Sequence, residues 1–244
     1  MIRPWATVPI LDNGESLCLI PNSLHRLTPH PYVALGAPYV DGIDPFWLRE
    51  GVVSRLVAAE DQLLRSVSGY RLAIFDAWRP IAVQAFMFQH AVDEECRLKG
   101  VSQTESKDSP KMRAILEEVK QFWASPSEDP STPPPHSTGG AVDLTLVDLQ
   151  GKEVEMGGEI DEISVISKPN YYALKAEKYK ESDFFRWHNR RLILADVMRD
   201  LGFAQHPNEW WHFSYGDQLW AWSEGRKNAV YGKSNPPEIK SSTN

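Results

Sequence analysis

Apolar and polar positions follow two periods along this chain. Over residues 45–67, Leu48, Val52, Val53, Leu56, Val57, Leu63 and Leu64 recur at helical spacing and Gly69 follows, which predicts an amphipathic helix. Residues 71–75 alternate as a short strand, and Pro80 suits the first position of a second helix over 80–98. A third helix is predicted over 110–123, with Ser109 as its cap and Met112, Ile115, Val119 and Phe122 on one face. A fourth spans 184–201, closed by Gly202, with Leu194, Val197, Met198 and Leu201 facing inward. Strands are predicted at 15–20, 141–149 and 210–215. In the middle one, Val142, Leu144 and Leu146 share one face and Ala141, Asp143 and Thr145 the other. Helices mixed with antiparallel strands in this order imply an α+β domain.

The connecting segments differ in kind. Residues 21–44, rich in Pro, Gly and Tyr, are expected to wrap the surface irregularly, and 150–170 reads as a long loop or hairpin beside whatever site exists. The run 125–135 is dense in proline, which predicts a stiff extended approach to His136. Residues 1–232 are read as one domain and the polar segment 233–244 as a disordered tail.

Composition narrows the functions available. Hydrophobic residues make up 42% of the 244, enough for a sizeable core. A formal charge of -7 without any Lys/Arg block argues against a nucleic-acid partner. Cys18 and Cys96 stand at a spacing that makes neither a disulfide framework nor a C-x-x-C motif. No stretch reaches the length of a membrane span, and prolines at 4 and 9 interrupt the first residues, which do not read as a secretory signal; a cytoplasmic location is expected.

Two short segments carry the candidate chemistry. P-H-S-T-G-G-A-V-D at 135–143 and E-W-W-H at 209–212 offer His136, Asp143 and His212 as three zinc ligands with a fourth position left for water. Glu209, three residues before the last ligand, is the candidate base and is expected in the loop just before the strand. Gly139 and Gly140 allow the bend that would let the imidazole and the carboxylate converge, although the same residues also suit a plain hairpin with a turn histidine. His25, His30, His90, His188 and His206 are read as ordinary surface or hydrogen-bonded residues. Arg79, between Trp78 and Pro80, either pairs with Asp76 to fix its loop or stabilises an anionic tetrahedral intermediate beside a metal.

Taken together, H-S-T-G-G-A-V-D-L-T-L, E-W-W-H-F and D-A-W-R-P resemble the VanX-type D-alanyl-D-alanine dipeptidases, zinc peptidases of the hedgehog/DD-peptidase fold group, over residues 40–215. The resemblance implies a central antiparallel sheet with flanking helices and one zinc ion per chain, held by His136, Asp143 and His212. It makes Glu209 the base, Arg79 the transition-state residue and Asp161, after M-G-G-E-I, an acidic contact to the substrate amino group. The implied reaction is hydrolysis of D-alanyl-D-alanine to two D-alanine, with a small dipeptide as the partner molecule. A stem-peptide carboxypeptidase or endopeptidase and a catalytically silent zinc-binding module are the alternatives. Pro134 stands where family members commonly carry a serine, two positions before the first ligand.

Overall fold

A computed structural model describes residues 3–40, 43–102 and 104–236. Strand β1 (Leu17–Leu19) lies in the first predicted strand, and the segment expected to be irregular contains β2 (His25–Arg26) and the single turn α1 (Pro31–Ala34). Strand β3 (Trp47–Arg49) pairs antiparallel with β1, so helix α2 (Glu50–Ser66) begins five residues later than its apolar period suggests. Leu48 is fully buried in that strand, which is why it mimics a helical position in the sequence. Val52, Val53, Leu56, Ala59 and Leu63 turn inward from α2; burying each large side chain contributes roughly 1.5–3 kcal/mol.

Strand β4 (Tyr70–Asp76) follows, then α3 (Ile81–Lys99), which has Pro80 as its N-cap residue and ends at Gly100 in the left-handed conformation. Helix α4 (Pro110–Val119) is capped by Ser109, whose Oγ accepts the Met112 N–H at 3.2 Å, and stops short of Trp123. Next come β5 (Ala141–Asp148), α5 (Ala173–Lys178), α6 (Asp183–Asp200), β6 (Ala204–Gln205), β7 (His212–Ser214) and α7 (Gln218–Ser223). The prolines before His136 do not run extended to the end: Pro135–Thr138 forms a turn of 3-10 helix.

The main sheet has the order β2-β4-β5-β7-β6. Its strands pair antiparallel except for β2, which runs parallel to β4 along the edge, so the expected antiparallel sheet is in fact mixed. Leu72, Ile74, Val142, Leu144 and Leu146 join residues of α2 and α6 in one core. A second core joins α3 and α4 with Tyr32 and Trp123, Phe75 packing against it.

Register positions the site. A bulge after Ile74 brings Asp76 opposite Asp143, while β7 places His212 opposite the same residue from the other side. Asp76, Asp143 and His212 therefore stand in a row across three strands.

The expected tail begins docked. The Ser234 N–H donates to the Ser137 carbonyl at 3.0 Å, and Trp78 Nε1 donates to the Ser234 carbonyl at 2.8 Å. Residues 237–244, the rest of that tail, lie outside the described residues. Among the described residues no helix is long and apolar enough to cross a membrane.

Candidate active site

Three donor groups converge from the 3-10 turn, β5 and β7. His136 Nε2 lies 3.3 Å from His212 Nδ1 and 3.2 Å from Asp143 Oδ2, and His212 Nδ1 lies 3.0 Å from Asp143 Oδ1. Ligand bonds of about 2.0–2.1 Å in a tetrahedral shell separate neighbouring donor atoms by about 3.3–3.4 Å. The cluster thus already has the spacing of three corners of a zinc tetrahedron, and all three residues are buried.

The outer partners of the ligands fix their tautomers. His136 Nδ1 is 2.7 Å from the Ala77 carbonyl, an acceptor, so this nitrogen carries the proton and leaves the Nε2 lone pair to the cluster. His212 uses its rings the other way round: Nε2 is 3.3 Å from Ser214 Oγ, which in turn donates to Asp217 Oδ2 at 2.7 Å. Burial pushes the Asp143 carboxyl up, but the neighbouring His136 and His212 side chains outweigh it and hold the group well below the usual carboxylate range. An ionised carboxylate with two imidazole lone pairs is a donor set that suits zinc.

Glu209 sits in the loop before β7, as the sequence predicts, with Oε2 3.8 Å from His212 Nδ1. Its Oε1 lies 3.0 Å from His206 Nδ1 but out of line for a hydrogen bond, and is buried without any hydrogen-bond partner among the described residues. His206 Nδ1 instead accepts the Asn208 N–H at 3.4 Å. Burial, followed by the nearby Arg3 charge, drives the His206 pKa well below its ordinary value, so the ring faces Glu209 neutral and offers it no proton. Burial and then the Asp143 charge raise the Glu209 pKa well above normal. A buried carboxylate with a raised pKa, its Oε2 facing the donor cluster, is suited to take up a proton.

Arg79 pairs with Asp76, the first of the two sequence readings, and stands beside the donor cluster. Its Nε and Nη2 donate to Asp76 Oδ2 at 3.1 and 2.7 Å, Nη1 donates to Gln84 Oε1 at 2.9 Å, and Nη2 lies 3.5 Å from Asp143 Oδ2. Asp76 also receives His30 Nε2 at 3.1 Å, so one fully buried carboxylate aligns the guanidinium and lies 3.3 Å from His136 Nδ1. Tyr32 accepts from Arg79 Nη2 at 3.3 Å and donates to Asp161 Oδ2 at 2.8 Å, tying Asp161 to the same constellation. Asp161 has a φ of 68°, a conformation that costs a non-glycine residue about 1 kcal/mol or more, and it lines the same cavity as the donor cluster.

Residues 40–229 match the Peptidase_M15 family, described as D-ala-D-ala dipeptidase. The chain is 42% identical over 241 residues to a D-alanyl-D-alanine dipeptidase of Synechocystis sp., covering 95% of this chain and 97% of that one. The chain belongs to the D-Ala-D-Ala dipeptidase family. A D-alanyl-D-alanine dipeptidase of Enterococcus faecium is 32% identical over 157 residues, 64% of this chain and 67% of its own. Among solved structures, a vancomycin-resistance D,D-pentapeptidase VanY variant in complex with Zn(II) aligns over 91% of this chain and 96% of its own, with 13% identity and a TM-score of 0.43.

In this peptidase, His136, Asp143, His212, Glu209, Arg79 and Asp161 all line one cavity of about 30 Å³. A neighbouring cavity of about 220 Å³ shares Arg3, Trp123, Ala124 and Pro135 with it as a common wall, and Pro134 lines only this outer space. Five residues of the peptidase site escaped the sequence reading. In the sequence Asp76 stands out only as a partner for Arg79, His30 and His206 read as ordinary histidines, and Tyr32 and Arg3 carry no motif at all. The D-A-W-R-P run held a signal for Asp76, since a carboxylate three residues before an arginine in a tight loop is placed to orient it.

Proposed function

We propose that this peptidase is a zinc-dependent dipeptidase that hydrolyses D-alanyl-D-alanine to two D-alanine, with one ion per chain held by His136, Asp143 and His212. The observation that carries the reading is the convergence of those donor atoms beside the buried Glu209 carboxylate in one small cavity. Zinc in that site supplies a Lewis acid for the peptide carbonyl and makes water acidic enough to be deprotonated near neutral pH. Glu209 takes the proton of the attacking water on Oε2, the oxygen nearer His212, and returns it to the departing amine. Arg79, held by Asp76, presents a fixed guanidinium charge to the oxyanion that develops on the carbonyl. Asp161 holds the substrate ammonium through its carboxylate, oriented by Tyr32. The reading places the enzyme in the cytoplasm, acting on free cell-wall dipeptide, and two unpaired cysteines suit that reducing compartment.

Zinc-loaded protein is expected to release D-alanine from D-Ala-D-Ala, to lose that activity on chelation and to regain it with added zinc. A stem pentapeptide should stay intact, because the cavity around the cluster leaves little room for further residues. Cleavage of the pentapeptide with the dipeptide untouched would move the enzyme to the carboxypeptidase side of its family.

The Asp161 carboxyl is pushed up to about 7, by burial first and then by the Asp143 charge. It must be ionised to bind an ammonium, so KM for D-Ala-D-Ala should climb as pH falls below about 7, approaching tenfold per unit, and the Asp161→Asn enzyme should lack this rise. The same raised pKa favours the folded state most below about 4, and that contribution fades as pH rises through about 7. Steady-state kinetics between pH 5.5 and 8.5 reads the binding effect directly.

A further inference from the structure

Charges facing the inner cavity are unequal in how far they are already satisfied. Asp143, Asp161 and Glu209 supply the acids, Arg79 and Arg3 the bases. Arg79 has most of its N–H groups engaged, by Asp76, Gln84 and Tyr32. Arg3 does not: only its Nη2 is used, donating to the backbone carbonyls of Phe122 at 3.0 Å and Lys120 at 3.4 Å. It forms no ion pair with any carboxylate among the described residues, yet it stands in the wall between the two cavities.

Its place is built rather than incidental. Arg3 precedes a 3-10 turn, Pro4–Thr7, whose Trp5 is buried and meets His206 edge to face at 5.4 Å. Gln218 Nε2 clamps the same turn by donating to the Ala6 and Val8 carbonyls at 3.3 and 2.7 Å. The Arg3 guanidinium lies 5.7 Å from the Trp5 ring centroid. Arginine fixed in this way keeps its remaining N–H groups free for a carboxylate or a similar planar anion.

A free dipeptide has a charge at each end, and two residues span at most about 7 Å. The inner cavity of about 30 Å³ is too small for the whole molecule, so the residue after the scissile bond must extend toward the 220 Å³ space beyond. That direction leads past Arg3, and Pro134 on the outer wall has no backbone N–H to donate.

We propose that Arg3 binds the terminal carboxylate of the substrate, so that Asp161 and Arg3 together recognise the two charged ends of a dipeptide and exclude longer chains. The proposal rests on the dipeptidase reading for the identity of its ligand. Its test therefore measures binding apart from turnover, with the reduced CH2–NH isostere of D-Ala-D-Ala and the C-terminal carboxamide of that isostere as probes on zinc-loaded protein.

Wild-type protein should bind the acid at least tenfold more tightly than the carboxamide, as charge-assisted hydrogen bonds to a carboxylate require. Arg3→Gln should erase the preference while leaving carboxamide affinity unchanged, which also shows that the site remains folded; Arg3→Lys should keep part of it. With D-Ala-D-Ala, KM should rise about 10–100-fold in Arg3→Gln with kcat within a few-fold of wild type. Equal affinity of wild-type protein for acid and carboxamide, or an acid preference that survives in Arg3→Gln, overturns the proposal. So does a loss confined to kcat and its pH profile, the signature of Arg3 acting only on Glu209. An Arg3-dependent preference in a protein that fails to cleave D-Ala-D-Ala would uphold Arg3 and remove the dipeptidase reading instead.

Discussion

Glu209→Ala is expected to lower kcat on D-Ala-D-Ala by roughly 10³–10⁴-fold while the protein still binds zinc, the upper range for loss of a group that moves a proton in both directions. Its nearest donor atom to the ligand cluster is 3.8 Å away, farther than the 3.0–3.3 Å that separates the ligands from one another. Removing it therefore leaves all three metal donors in place. Stability should not fall, since the native state holds this carboxylate buried with one oxygen unpartnered, a state unfavourable to its charge. Metal content by elemental analysis, thermal unfolding and single-turnover kinetics on the same sample separate these effects. Near-normal turnover in Glu209→Ala would remove it as the base and leave the cluster without a proton acceptor.

Arg79 is expected to show a different split between activity and stability. Arg79→Lys keeps a positive charge but loses the two-nitrogen grip on Asp76 and the link to Gln84, so kcat/KM should drop about 10²–10³-fold through a misplaced oxyanion partner. Arg79→Met goes further by leaving Asp76, which is 0% exposed, without its main counter-charge. Burial raises the Asp76 pKa, and the Arg79 charge is the largest of the opposing effects that leave it below normal, ahead of His30 and His136. Breaking such a pair costs about 3–5 kcal/mol, and the remaining His30 and Tyr39 contacts place this case toward the lower end. Urea unfolding of Arg79→Lys and Arg79→Met, set beside their kinetics, checks both halves. If Arg79→Met unfolds like wild type, the guanidinium is not what holds the buried carboxylate ionised.

Much of this was legible in the chain itself. Local period places α2, α4 and α6, and Pro80 the start of α3, each within about five residues of the observed ends, because such signals are written in consecutive residues. Two short segments offer His136, Asp143, His212 and Glu209 as candidates, and the structure brings the four together, since metal ligation restricts both residue type and spacing. The start of α2 was misjudged because Leu48 is buried in β3 rather than in the helix. Strand β2 was missed for a related reason: two residues are too few to show alternation, and its parallel pairing to β4 joins His25 with Ala73, far away in sequence.

By itself the sequence determined which residues could ligate a metal, which long helices would form and that their mixture with strands gives an α+β fold. Only the tertiary structure decided how those residues meet. The β4 bulge and the β5–β7 register set Asp76, Asp143 and His212 in one row, and the ring nitrogen of His136 is chosen by the Ala77 carbonyl, an acceptor from a distant part of the chain. Arg3 reaches the cavity because Trp5 is buried against His206, a residue some 200 positions away along the chain that no local pattern could link to it. Periodicity acts over a turn or a strand, whereas burial and charge act through space, and an enclosed site is made by the second kind of force.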